Sequence, residues 1–197
     1  GVNGPVWALI ALDSGDYEIP INEEVKTQAS RDMYVNEILK LQNSDGGWSL
    51  NKSADVSDAD ITGMAIQALS KYQDNDNVKS ATEKALSCLS SMQDKNGGFF
   101  TYNEETSESS VQVLVALCEL GISADDKRFV KNGNTILNNL LSFYDGKGFK
   151  HIHEDSTNLM ATEQCFYALV ALDRMNEGKN SLYSMSDVRM TKGSDSS

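Results

Sequence analysis

A chain of 197 residues with 40% apolar residues is long enough for one domain with a substantial core. Its 17 Lys+Arg against 29 Asp+Glu leave a net charge of −12, which argues against nucleic acid or an anionic membrane as the partner. No apolar run reaches the roughly 20 residues that span a bilayer, so no membrane insertion is expected.

The chain opens with a short apolar helix, Pro5 to Leu12, with Asn3 placed as its N-cap and Pro5 in the first turn. A polar loop follows from Asp13 to Asn22. The next helix runs from Glu24 or Arg31 to Leu41, with Met33, Val35, Ile38, Leu39 and Leu41 on one stripe. Ser57-x-x-Asp60 reads as a capping box for a helix over Asp60 to Tyr72. Further helices are expected at Lys79 to Met92, Glu108 to Leu120, Phe129 to Phe143 (dented at Gly133) and Asn158 to Met175. The toroidal pattern described below occupies residues 1–176. Residues 177–197 lose it and read as a tail and linker toward a further module, and Gly1 reads as a cloning remnant of a longer natural chain.

One stretch recurs at about fifty-residue spacing, the mark of a repeat architecture. Gln42-Asn43-Ser44-Asp45-Gly46-Gly47-Trp48 is echoed by Gln93-Asp94-Lys95-Asn96-Gly97-Gly98-Phe99 and, worn, by Tyr144-Asp145-Gly146-Lys147-Gly148-Phe149. Paired glycines reach positive φ without steric penalty, so they stop the helix and turn the chain. The aromatic can then fold back onto the finished apolar face. The glutamine can reach carbonyls left free at the helix end. Between these stretches lie helices that are apolar almost all round, and four copies align without gaps: those beginning at Asn3, Asp60, Glu108 and Met160. A helix hydrophobic on every side is buried on every side. The fold class is therefore all-α, an inner ring of apolar helices wrapped by outer amphipathic ones: an α/α toroid, or an arc of one.

Helix, then Gln-x3-Gly-Gly-Trp/Phe, repeated, resembles the prenyltransferase and squalene-cyclase repeat of the terpenoid cyclase toroids. Asn3-Gly-Pro-Val-Trp-Ala-Leu-Ile-Ala-Leu-Asp-Ser-Gly15, Ala161-Thr-Glu-Gln164 and Ser181-Leu-Tyr-Ser-Met-Ser-Asp-Val188 are similar to a branch found in secreted or cell-surface bacterial proteins. That resemblance implies a surface location and a non-catalytic ligand-binding or adhesion role toward an extracellular protein, peptide or small molecule, with no cofactor. The same toroid also serves cyclases, protein prenyltransferases, thioester domains and cobalamin carriers, so fold does not decide function.

Each of those chemistries has a test in the residues. The class II cyclase motif implies Asp60 as the proton donor with Asp58 beside it, but Ile61 replaces the third aspartate. The plain alternative is that both aspartates cap the helix and favour its dipole. The prenyltransferase zinc site implies Glu163 and Cys165, with His151 and His153 as further ligands only if their loop folds over the last helix. No Cys-x-x-Gln is present, which excludes a thioester, and Asp94-x-Asn96-x-Gly98 is a turn, lacking a calcium loop's ligand set. Cys88, Cys118 and Cys165 are read as buried free thiols. A cobalamin-type carrier would need a second domain.

In a toroid the starts of the inner helices and the loops feeding them surround one mouth, the expected binding site. The candidates there are Trp7, Trp48, Asp60, Tyr102, Glu108, His151, His153, Glu163 and Gln164, with Phe99 and Phe149 as further aromatics. Such a mouth is acidic and suits cationic, neutral polar or peptide ligands. An open arc would also leave an apolar flank at residues 2–12, a surface for self-association.

Overall fold

The computed structural model describes residues 1–51, 56–101 and 103–188. Seven α-helices are found among them: α1 Asn3–Asp13, α2 Arg31–Lys40, α3 Ala59–Leu69, α4 Asp76–Met92, α5 Ser107–Glu119, α6 Ile136–Ser142 and α7 Leu159–Asn176. A small antiparallel hairpin pairs β1, Phe100–Thr101, with β2, Glu104–Glu105. The inner helices pack in chain order, α1 on α3, α3 on α5, α5 on α7, and the outer helices α2, α4 and α6 pack on α1, α3 and α5. This is the alternation expected of an α/α toroid.

Several boundaries move for local reasons. Val2, not Asn3, precedes α1, and no side chain caps it. The expected Ser57–Asp60 capping box is absent: Asp58 caps α3, accepting from Ile61 N at 3.0 Å. In the helix expected over 129–143, residues 129–135 are not α-helical. Gly133 sits at φ +83° in a turn bridging Lys131 and Asn134, and the helix starts only where Thr135 and Asn138 form a capping box. Positive φ there breaks the helix outright rather than denting it.

The repeated stretch is a clamp between repeats. Gln42 Nε2 donates to Gly46 O at 2.7 Å and to Ala81 O on α4 at 2.8 Å. Gln93 Nε2 does the same toward Gly97 O at 2.9 Å and Phe129 O at 3.0 Å. The glutamine thus serves its own loop and the next repeat, not the free carbonyls of its own helix end. Asp94 accepts from Asn96 N and Gly98 N, a turn as expected. Trp48 and Phe99 are fully buried and Phe149 nearly so. Replacing Gln93 with the similarly shaped Met should leave Gly97 O and Phe129 O without donors, a loss of about 2 kcal/mol. Urea denaturation measures it, and an unchanged midpoint would deny the clamp.

At the opposite end from the inner-helix starts, residues 181–187 return to the bundle. Ser181 donates to Glu119 and Tyr183 Oη to Gln67 Oε1 at 2.6 Å, while Arg174 pairs with Asp187. Burial holds the Glu119 carboxyl above its ordinary range. Residues 2–12 expose less than an open flank would: Val2, Val6, Leu9 and Ile10 are buried and Trp7 is 42% exposed. Leu159, Met160 and Phe166 on α7 are more exposed than any of them.

Candidate functional site

Three inner helices are capped alike. Asp58, Thr106 and Asn158 accept from the backbone N–H of Ile61, Ser109 and Ala161. With the caps supplied two positions earlier, the second residue of each helix is released from capping. Those residues are Asp60, Glu108 and Met160, and all three line one cleft of about 370 Å³. One turn further along the same faces come Met64, Gln112 and Gln164, also in its wall. His151 closes one side from the loop before α7.

The cleft holds two carboxylates in different states of engagement. Glu108 is 7% exposed. Its Oε2 bonds His151 Nδ1 at 2.8 Å and accepts from Ser107 Oγ at 3.1 Å. Ser107 N and Oγ in turn hold the carbonyls of His151 and Lys150, which ties that loop to the start of α5. Glu108 Oε1 and Asp60 Oδ1 are buried with no hydrogen-bond partner among the described residues. Asn3 Oδ1, at the equivalent repeat position on α1, is likewise buried and unpartnered.

Burial pushes the Asp60 carboxyl up to about 6, the Ser109 hydroxyl opposing and the carboxylates of Asp58 and Glu108 adding to the rise. A helix N-terminus alone stabilises an anion by about 0.3–1 kcal/mol and would lower this value. Desolvation therefore outweighs the dipole, and the cap bond at this helix start is made by Asp58 rather than Asp60. Behind it runs a buried polar chain. Gln67 donates to Gln112 O at 2.8 Å, and Gln112 Nε2 donates to Tyr167 Oη at 2.7 Å and Gln164 Oε1 at 3.4 Å. Burial raises the Tyr167 phenol to about 12, so it stays a neutral acceptor and donor. α3 approaches α5 closely here: a Cβ at Gly63 would lie 2.7 Å from Gln112 O.

Of the residues expected at the mouth, Asp60, Glu108, His151 and Gln164 come together. The others do not. Trp48 is buried, its Nε1 donating to Ile38 O at 2.7 Å, so it is no stacking platform for a ligand. His153 stacks on Phe143 with ring centroids 3.9 Å apart and lies 3.6 Å from Glu105. Glu163 points outward from α7 and is exposed. Trp7 stands on α1, outside the cleft lining. Tyr102 lies outside the described residues. The four suggested zinc ligands, His151, His153, Glu163 and Cys165, do not converge. Cys165 is fully buried with its thiol raised to about 12 by burial, and among the described residues no three His, Cys, Asp or Glu groups could hold a metal together. Cys88 is also buried, and Cys118 is half-buried with its thiol raised to about 12 by burial.

Met64 and Gln112 were not anticipated, although the repeat carried the signal. They occupy the same column as Gln164, four residues after Asp60 and Glu108. Thr101 and Glu104, from the hairpin, had no such signal. A larger depression of about 870 Å³ lies between residues 18–21 and 29–32 on the exposed α1–α2 loop, and none of its lining side chains carries a buried unpartnered atom.

The family model described as the prenyltransferase alpha-alpha toroid domain matches residues 3–134, more than half of the chain. The chain belongs to this family. No curated protein matches it. The matched segment covers α1 to α5 and so includes Asp60 and Glu108, whereas His151 and Gln164 come from the part beyond it. The equivalent helix-start position is thus filled by asparagine in the first copy, by acids in the second and third and by methionine in the fourth.

Proposed function

We propose that this toroid domain is a non-catalytic binding module that takes its ligand into the cleft at the starts of α3, α5 and α7. One observation carries the reading: Glu108 Oε1 and Asp60 Oδ1 are buried, unpartnered and in the wall of the same open cleft. A buried acceptor without a donor costs about 1–3 kcal/mol. Two of them in one concave wall are what a site awaiting a ligand presents. The secreted or surface setting implied by the sequence resemblance belongs to the same proposal, with an extracellular protein, peptide or small molecule as the partner.

The enzymatic reading, an isoprenoid cyclase or transferase with Asp60 as the acid, is favoured by one observation, the carboxyl raised to about 6. Against it stands the wall itself, in which Thr101, Glu104, Gln112 and Gln164 are polar. Carbocation chemistry needs a water-free apolar enclosure. Asp58 is also occupied with Ile61 N.

A fragment library screened by NMR on protein labelled at the methionine methyls tests both. Hits should cluster on Met64 and Met160. Hits scattered over the surface, or none, would remove the binding reading. Incubation with geranylgeranyl diphosphate should give no cyclised or transferred product. A product that Asp60→Asn abolishes would establish the enzyme instead.

A further inference from the structure

We propose that the cleft recognises a protonated primary amine, its ammonium head held between Asp60 Oδ1 and Glu108 Oε1 and its alkyl stem lying along Met64 and Met160. This rests on the reading of the cleft as a binding site and names the ligand chemistry it selects.

The argument is one of supply. At its buried end the cleft offers acceptors and few donors. The amide of Gln112 is committed to Tyr167 and Gln164, and its Oε1 accepts from Gln67 Nε2 at 3.0 Å. His151 Nδ1 is committed to Glu108 Oε2, and the Ser109 hydroxyl is shared among Thr101, Thr106 and the Asp60 carboxyl. Among the described residues no lysine or arginine lines the cleft, whereas Asp60, Glu104 and Glu108 do. The buried unpartnered atoms among the lining residues are acceptor oxygens on two acids, and Glu108, at 7% exposure, is more than nine-tenths buried. A ligand that completes this site must bring donors and positive charge.

The distribution of the free oxygens selects among cations. A guanidinium pairs best with both oxygens of one carboxylate. Here Glu108 Oε2 is already taken by His151, and the two unpartnered oxygens belong to different residues on different helices. A compact ammonium with three rotatable donors fits that arrangement, and a planar fork does not. Met64 and Met160 give the stem a polarisable, adaptable wall. The net charge of −12 favours approach of a cation from solution.

The test uses the whole chain labelled at the methionine methyls. It is titrated with Nα-acetyl-lysine methylamide and with the same compound acetylated at Nε, which removes the charge and keeps the stem. The lysine compound should shift the Met64 and Met160 signals saturably, and the acetylated one should bind at least tenfold more weakly. Glu108→Gln and, separately, Asp60→Asn should each weaken the lysine compound at least tenfold while the remaining spectrum stays folded. Equal binding of both compounds would overturn the amine inference and leave the binding-module reading standing. No response to the lysine compound, with fragments still found in the cleft, would do the same. No response to any compound at Met64 and Met160 would overturn both.

Discussion

Asp60→Asn is expected to make the protein more stable at pH 8 and to leave it nearly unchanged at pH 4. The native carboxyl titrates at about 6, against an ordinary value of 3.8, because burial disfavours its charge. A carboxyl raised on folding binds its proton more tightly in the native state. Its favourable contribution is therefore complete below about 4, falls as the pH rises through 6, and is gone above. A shift of about two pH units corresponds to about 3 kcal/mol, the upper limit of what a neutral side chain of the same shape restores. A gain of about 2 kcal/mol at pH 8 is the expected result. The groups facing Asp60 are Asp58, Glu108, His151 and Ser109, with Glu104 across the cleft and Tyr167 on α7. They remain in the variant, so the comparison isolates Asp60. Thermal unfolding of both proteins at pH 4 and pH 8 reads the difference. An equal effect at both values, or destabilisation at pH 8, would show that the charge of Asp60 is well tolerated. A stabilising substitution at a cleft residue is the usual mark of a position kept for function.

Gly97→Ala should be strongly damaging, lowering stability by about 3 kcal/mol or more. Two penalties coincide. The residue holds φ +88°, where a side chain costs about 1–2 kcal/mol. The added carbon would also sit 2.5 Å from Thr135 O, a backbone atom at the cap of α6, and overpacking costs about 1–3 kcal/mol. Moving that backbone would pull Gly97 O away from Gln93 as well. Gly121 provides the control, since it has φ +66° and nothing within 4 Å of an added carbon. Gly121→Ala should lose only about 1 kcal/mol, the conformational part alone. Urea midpoints for the two variants separate the terms. Similar losses would mean that the α4–α6 junction yields, and that the glycine pair serves only to turn the chain.

Residue pattern alone carried the architecture because each repeat is a local solution to the same problem. The Gln-x3-Gly-Gly-aromatic stretch must end a helix, turn and refill an apolar face, and those demands fall on residue types visible in one dimension. All-round apolarity in four aligned segments then requires an inner layer, whatever the loops do. The same periodicity held the two columns of the cleft, Asp60, Glu108 and Met160 above Met64, Gln112 and Gln164. For Trp48 it supported two readings, an aromatic folded back onto the apolar face and a candidate at the mouth, and full burial bears out the first and removes the second. The start of α6 was hidden because it is set by the positive φ of Gly133 and a cap at Thr135, neither of which alters hydrophobic spacing.

What remained for the tertiary structure was the state of each polar group. Asp58 and Asp60 are two residues apart and chemically identical, yet one caps α3 and the other lines the cleft with its Oδ1 unpartnered. His151 and His153 are equally alike, and they part company because one meets Glu108 and the other Phe143. Whether a carboxylate is satisfied, desolvated or free depends on atoms contributed by helices and loops 40 to 100 residues away. Sequence alone therefore determined that this chain is a toroid with an acidic mouth. Only the packing of α3, α5 and α7 decided which carboxylate oxygens were left without a partner, because desolvation and hydrogen bonding are properties of a three-dimensional surrounding.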